Sequence, residues 1–212
     1  VRTWTSSGIE VTYCIITNGD AGGFDPDVPR SEIPAIRQAE QRAAGAILGV
    51  DDVRFLGYRD GELTVSHDLR RDISRVIRQV RPDRMLIQSP DRNWERIQAS
   101  HPDHLAAGDA AIQAVYPDAR NPFAHTSLLL DEGLEAWTVP EVWVMASPNP
   151  DFFVDITDVF DDKFAAICAH ASQIEDADIM RERIRGWMSL QAERGGLGAG
   201  RLAEAFMVVA TE

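Results

Sequence analysis

Through the first two-thirds of the sequence, short apolar runs alternate with stretches of helical period. This alternation constrains the fold more than any other feature. After Val1–Gly8, which reads as the end of a helix with Gly8 as its cap, Ile9–Ile16 (IEVTYCII) has the character of a strand. Pro34–Leu48 places Ile36, Ala43, Ala44, Ile47 and Leu48 on the helical period, and Gly49 ends it. Val53–Phe55 is a second short strand, and Asp60-Gly61 marks a turn. Ser66 caps a helix to about Val80, with Leu69, Ile73, Val76, Ile77 and Val80 on one face. Met85–Gln88 follows as a strand, and a further helix runs from the His101 region to about Tyr116. Strand, helix and strand in succession require crossover connections, so the expectation is a parallel α/β sheet. Ile9–Ile16 and Met85–Gln88 are expected to be buried strands of one sheet, covered by helices on both faces. Glu141–Ala146, Phe153–Ile156 and Phe206–Val209 read as later strands, and Val159–Ser172 and Met180–Ala192 as helices.

No repeat or low-complexity linker divides the 212 residues, so residues 1–212 are expected to form a single domain. With 44% hydrophobic and 26% charged residues the chain can build an ordinary core. The formal net charge of −13 argues against nucleic acid, whose phosphates need a basic stripe. No apolar run approaches the ~20 residues that span a bilayer, and no leader pattern opens the sequence. Cys14 and Cys168 are too few and too distant for a disulfide framework, which fits a cytoplasmic protein.

The residues with most chemical potential are His101-Pro102-Asp103-His104. Proline suits the first position of a helix, which makes His101 the cap and puts both imidazoles around the first turn. They follow a buried strand, at the carboxyl edge where open α/β sheets bind ligands. Asp103 is close enough to orient one of them, as carboxylates beside metal-bound histidines do. Asp60 and Asp20 lie in turns that could face the same edge, although a turn role alone explains both. Arg37 and Glu40 share a helix face, either as a surface pair or with Arg37 in a pocket. His67 reads as exposed, His125 as a loop residue, and His170 as sitting near a helix end. There is no GxSxG elbow, no phosphate-binding glycine loop and no activated cysteine.

Thr17–Gly23, Arg37–Glu40, Leu56–Gly61 (LGYRDG), Ser100–His104 and Ala169–Gln173 (AHASQ) occur in this order. Together they resemble the LmbE-like (PIG-L) zinc-dependent N-deacetylases over nearly the whole chain. The resemblance implies a Rossmann-like three-layer α/β domain with a mainly parallel central sheet. It implies hydrolysis of the N-acyl amide of an amino sugar, such as an N-acetylglucosamine conjugate, with one Zn2+ ion. By this resemblance His104 is a zinc ligand, His101 stabilises the oxyanion and Asp103 orients it. Arg37, Asp60 and Asn93 become substrate-binding residues, and the loops Phe24–Arg30 and Arg92–Ala99 set specificity.

One departure is large. The family carries its other two zinc ligands and its general base in an AHPDD-type motif after the first strand, and nothing here matches it. Roughly 25–40 upstream residues would supply that strand and helix. The expectation is therefore a domain whose first strand and metal motif lie outside this sequence. The rival is a metal-free binding protein of the same fold. A thiol-conjugate amidase of the same superfamily would share the chemistry.

Overall fold

The structure is a computed structural model that describes residues 1–23, 25 and 27–211. Phe24 and Pro26 of the first specificity loop thus lie outside the described residues. The elements run α1 (Arg2–Ser6), β1 (Thr12–Thr17), α2 (Ile33–Ile47), β2 (Asp52–Tyr58), α3 (His67–Val80) and β3 (Arg84–Gln88). They continue with α4 (Pro102–Gln113), α5 (Thr126–Leu130), β4 (Glu141–Met145), β5 (Phe152–Asp155), α6 (Phe160–Cys168), α7 (Ala177–Arg194) and β6 (Ala203–Ala210). Among the described residues no helix is long and apolar enough to cross a membrane.

The chain forms two compact units, Val1–Asp60 with Phe153–Glu204, and Gly61–Phe152 with Ala205–Glu212. In the first, β1 pairs in parallel with β2, and Asn18 N–H extends the ladder to the Tyr58 carbonyl at 2.8 Å. α2 crosses between them, as a parallel pair requires. Gly45 lets α2 approach the turn behind it, where an added Cβ would stand 3.0 Å from the Val50 carbonyl oxygen. Ile156, Phe160, Met188 and Leu202 form a core cluster, with Ile184 and Trp187 packed against it.

In the second unit, β3 pairs in parallel with β4, and β4 in antiparallel with β6. Val142, Trp143 and Val144 are buried in succession, as in a strand covered on both faces. The Ser66 hydroxyl accepts from Leu69 N–H at 3.1 Å, capping α3 as expected. α3 buries Leu69, Ile73 and Ile77, but also Ser74 and Arg78. Arg78 is 1% exposed and donates to the carbonyls of Asp118, Ala119, Asn121 and Ala124. Its buried charge is thereby shared among several peptide oxygens, as a desolvated guanidinium requires.

Three expectations are adjusted. β1 and β3 lie in different sheets, because strand–helix alternation dictates strand direction and not which strands become neighbours. The helix expected to reach Tyr116 leaves α-geometry after Gln113, and Tyr116 itself is extended (φ −140°, ψ 117°). Pro117 follows it, and the residue before a proline is pushed out of the α region. The helix expected over Val159–Ser172 ends at Cys168, and a separate 3₁₀ turn covers Ala171–Gln173.

Candidate functional site

In the second unit the HPDH segment forms the expected helix start. Pro102 opens α4, and the His101 ring caps it, Nδ1 accepting the Asp103 N–H at 3.2 Å. The rings of His101 and His104 are both exposed, with centroids 5.5 Å apart. Asp103 is 5% exposed, and its carboxylate is not directed to His101. Its Oδ2 accepts Gly61 N–H at 2.7 Å and its Oδ1 accepts Leu63 N–H at 3.2 Å. The acid therefore ties the segment after LGYRD to the first turn of α4, and it meets His101 through its backbone N–H. The loop before α4 is closed by Ser100, 3% exposed, whose hydroxyl accepts Asn93 N–H at 2.7 Å. The Asn93 side-chain oxygen accepts Arg96 N–H at 3.0 Å, so one end of its amide is engaged in the loop.

α4 is brought to the end of β3 by Gly108, which sequence reasoning missed. A Cβ there would lie 2.3 Å from the Gln88 carbonyl oxygen. The signal was present, since a lone glycine in a helix marks either a cost or a close approach.

In the first unit the Asp20 carboxylate accepts Asp60 N–H at 2.9 Å and lies 3.8 Å from Arg59 Nε. Asp20 thus fixes the backbone that presents Asp60. Arg37 Nη1 donates to the Ser172 hydroxyl at 2.7 Å and to Glu40 at 3.2 Å. Glu40 and Ser172 were not expected as site residues; the AHASQ motif was the signal for the latter. A cavity of about 270 Å³ in this unit is lined by Tyr13, Gln41, Lys163 and His170 among apolar residues, and no expected site residue lines it. Burial pushes the Tyr13 phenol up to about 12 and lowers the His170 imidazole.

The remaining histidines differ from expectation in one case. His67 is exposed as expected. His125 is not a simple loop residue: its side chain is 2% exposed and Nε2 is 3.0 Å from the Asp118 carboxylate.

Catalytic zinc takes three protein ligands and an open position. The described residues contain no group of three His, Cys, Asp or Glu side chains placed to hold a metal ion. His101 and His104 alone do not meet that requirement.

The model of the PIG-L family, described as GlcNAc-PI de-N-acetylase, matches residues 1–115. A diacetylchitobiose deacetylase of Thermococcus kodakarensis is 33% identical over 176 residues, covering 83% of this chain and 64% of that protein. The chain thus spans slightly less than two-thirds of that relative's length. A probable N-acetyl-α-D-glucosaminyl L-malate deacetylase 2 of Bacillus cereus is 32% identical, with 82% and 76% covered. Among solved structures, N,N'-diacetylchitobiose deacetylase from Pyrococcus horikoshii superposes with a TM-score of 0.89 at 30% identity, over 99% of this chain and 76% of that one.

Proposed function

The chain belongs to the PIG-L family of GlcNAc-PI de-N-acetylases, and from that premise we propose that the whole protein hydrolyses the N-acetyl amide of an amino-sugar conjugate. The relatives named for diacetylchitobiose and for N-acetylglucosaminyl malate share a 2-acetamido sugar joined to a further group. That shared part defines the substrate class.

The observation that carries the reading is the His101 cap. Because Nδ1 accepts the Asp103 N–H, the ring proton of the neutral imidazole belongs on Nε2. This leaves an N–H donor on a side chain fixed by the helix start. Amide hydrolysis needs such a donor, since the carbonyl oxygen gains negative charge as water adds. Asp103 acts as a positioning residue: burial and its bonds to Gly61 and Leu63 hold the turn in place. His104 would supply one nitrogen to a zinc ion, which would polarise the amide carbonyl and activate water. Arg37, Asp60 and Asn93 serve as substrate contacts on the sugar, to which their guanidinium, carboxylate and amide can offer complementary donors and acceptors. The reading treats residues 1–212 as one deacetylase domain acting on a small molecule, with no nucleic-acid or membrane partner. The unpaired thiols Cys14 and Cys168 suit the cytoplasm.

The test is release of free amine from N-acetylglucosamine conjugates by the full-length protein, with bound zinc measured in parallel. His101→Ala should lower kcat about 10²–10³-fold, the effect of removing one oxyanion donor, while keeping the metal. His104→Ala should lose the metal. An undiminished kcat in His101→Ala, or no amine release by the wild type, would overturn the reading.

A further inference from the structure

The Ser of the AHASQ motif has no role in the hydrolytic reading, yet it sits at the centre of a closed network. Glu40 lies one turn after Arg37 on α2, and both side chains are 11% exposed. Its Oε1 accepts the backbone N–H of Ser172 at 2.6 Å, and its Oε2 accepts the Ser172 hydroxyl at 2.8 Å. Arg37 Nη1 donates to that same hydroxyl oxygen at 2.7 Å and to Glu40 Oε2 at 3.2 Å. The polarity of this arrangement is fixed. A guanidinium can only donate and a carboxylate can only accept, so the group between them must do both. A hydroxyl fits; a methyl does not. Burial raises the Glu40 carboxyl, but the Ser172 and Arg37 bonds outweigh it and hold the group below its ordinary range.

The arm of Arg37 is shaped from the other side by the TNGDAGG turn. A Cβ on Gly19 would stand 2.9 Å from Arg37 Cγ, and one on Gly22 would stand 3.2 Å from Nη2. The stem therefore passes over Gly19 and the guanidinium lies beside Gly22, while one guanidinium nitrogen is held by Glu40 and Ser172. Arginine has among the most rotamer freedom to lose when it is ordered. A network that orders it beforehand removes that cost from ligand binding.

We propose that Glu40 and Ser172 are positioning residues that grip the Arg37 guanidinium by Nη1 and so present Nη2, beside the glycine turn, to a hydroxyl of the amino sugar. This rests on Arg37 being a substrate contact. The network explains why the Arg–Glu spacing, the glycine turn and the AHASQ serine occur in one chain.

The experiment compares Arg37→Ala, Ser172→Ala, Ser172→Thr and Glu40→Gln in the full-length protein, by KM, kcat, thermal midpoint and phenylglyoxal labelling of Arg37. Ser172→Ala should raise KM about tenfold, the effect of one hydrogen bond, with kcat within about twofold. It should also speed labelling of Arg37 severalfold, and Ser172→Thr should restore both. A flat KM in Ser172→Ala beside a raised KM in Arg37→Ala overturns the positioning role alone. A flat KM in both shows that Arg37 is no substrate contact, and the premise fails with the proposal. Unchanged labelling in Ser172→Ala shows that the serine does not hold the guanidinium. A loss of thermal stability and kcat that threonine does not rescue marks a purely structural tie.

Discussion

Gly108→Ala is expected to destabilise the protein, although alanine is the better helix former. An added methyl would lie 2.3 Å from the Gln88 carbonyl oxygen and 2.9 Å from both Gln88 C and Pro90 N. Ordinary contact begins near 3.4 Å, so α4 and the end of β3 must separate by about 1 Å. All three obstructing atoms are backbone, so no side chain can rotate away. Overpacking of a well-fitted interface costs about 1–3 kcal/mol, and this case belongs at the top of that range. The gain in helix propensity returns about 1 kcal/mol. A net loss of about 2 kcal/mol follows, which is a fall of about 4–8 °C in thermal midpoint at this chain length. Gly108 lies one turn after His104, so the retreat also moves the first turn of α4. Urea unfolding followed by tryptophan fluorescence measures the effect, with the slope unchanged and the midpoint lowered. An unchanged or raised midpoint would show that α4 does not rest on β3 at this distance.

Two further outcomes follow from burial. Desolvation raises the Asp118 carboxyl, but hydrogen bonds from Arg70 and His125 outweigh it and hold it below the ordinary value. A depressed carboxyl contributes stability that is present above its unfolded pKa of about 3.9 and is lost as pH falls through the folded one. Asp118→Asn should therefore cost about 3 kcal/mol at pH 7, the low end for breaking a buried pair because Arg70 is 28% exposed. The difference from wild type should shrink when the urea midpoints are measured near pH 3; an equal difference at both pH values would refute it. Burial also pushes the Cys14 thiol up to about 11. At pH 8 about one thiol in a thousand is then ionised, so iodoacetamide should label Cys14 far more slowly in the native protein than in urea. Equal rates would contradict the burial of this sulfur.

How much of this was legible in the sequence depended on how local each feature is. The cap of α3 and the start of α4 were legible because Ser66 and His101-Pro102 act on their own first turns. The antiparallel run of β6 beside β4 was not legible, but the parallel direction of β1 and β2 was, because α2 leaves no room for a hairpin between these strands. The assortment of strands into sheets was not, since adjacency is settled by packing between distant segments. Arg78 reads as a polar residue beside an apolar face, and only the folded chain shows carbonyls of residues 118–124 turned toward it. His125 reads as a loop residue for the same reason, its partner being fixed by the turn around Asp118.

Asp103 shows where such reasoning stops. The residue type and its place beside two histidines point to chemistry, and the resemblance assigns it to orienting His101. Yet the strongest claim on a buried carboxylate comes from unpaired peptide N–H groups, and Gly61 and Leu63 offer two. Gly61 has φ of +82°, so the chain turns sharply after Asp60 and exposes these donors to a single acceptor. The pattern Asp-Gly before a strand-to-helix loop, followed some forty residues later by a helix-capping His-Pro-Asp, is thus one arrangement and not two. The turn creates the need for an acceptor, and the first turn of α4 supplies it. An Asp103→Asn substitution keeps an acceptor oxygen for only one of those N–H groups, so it would loosen the turn after Asp60 and the placement of His101 together.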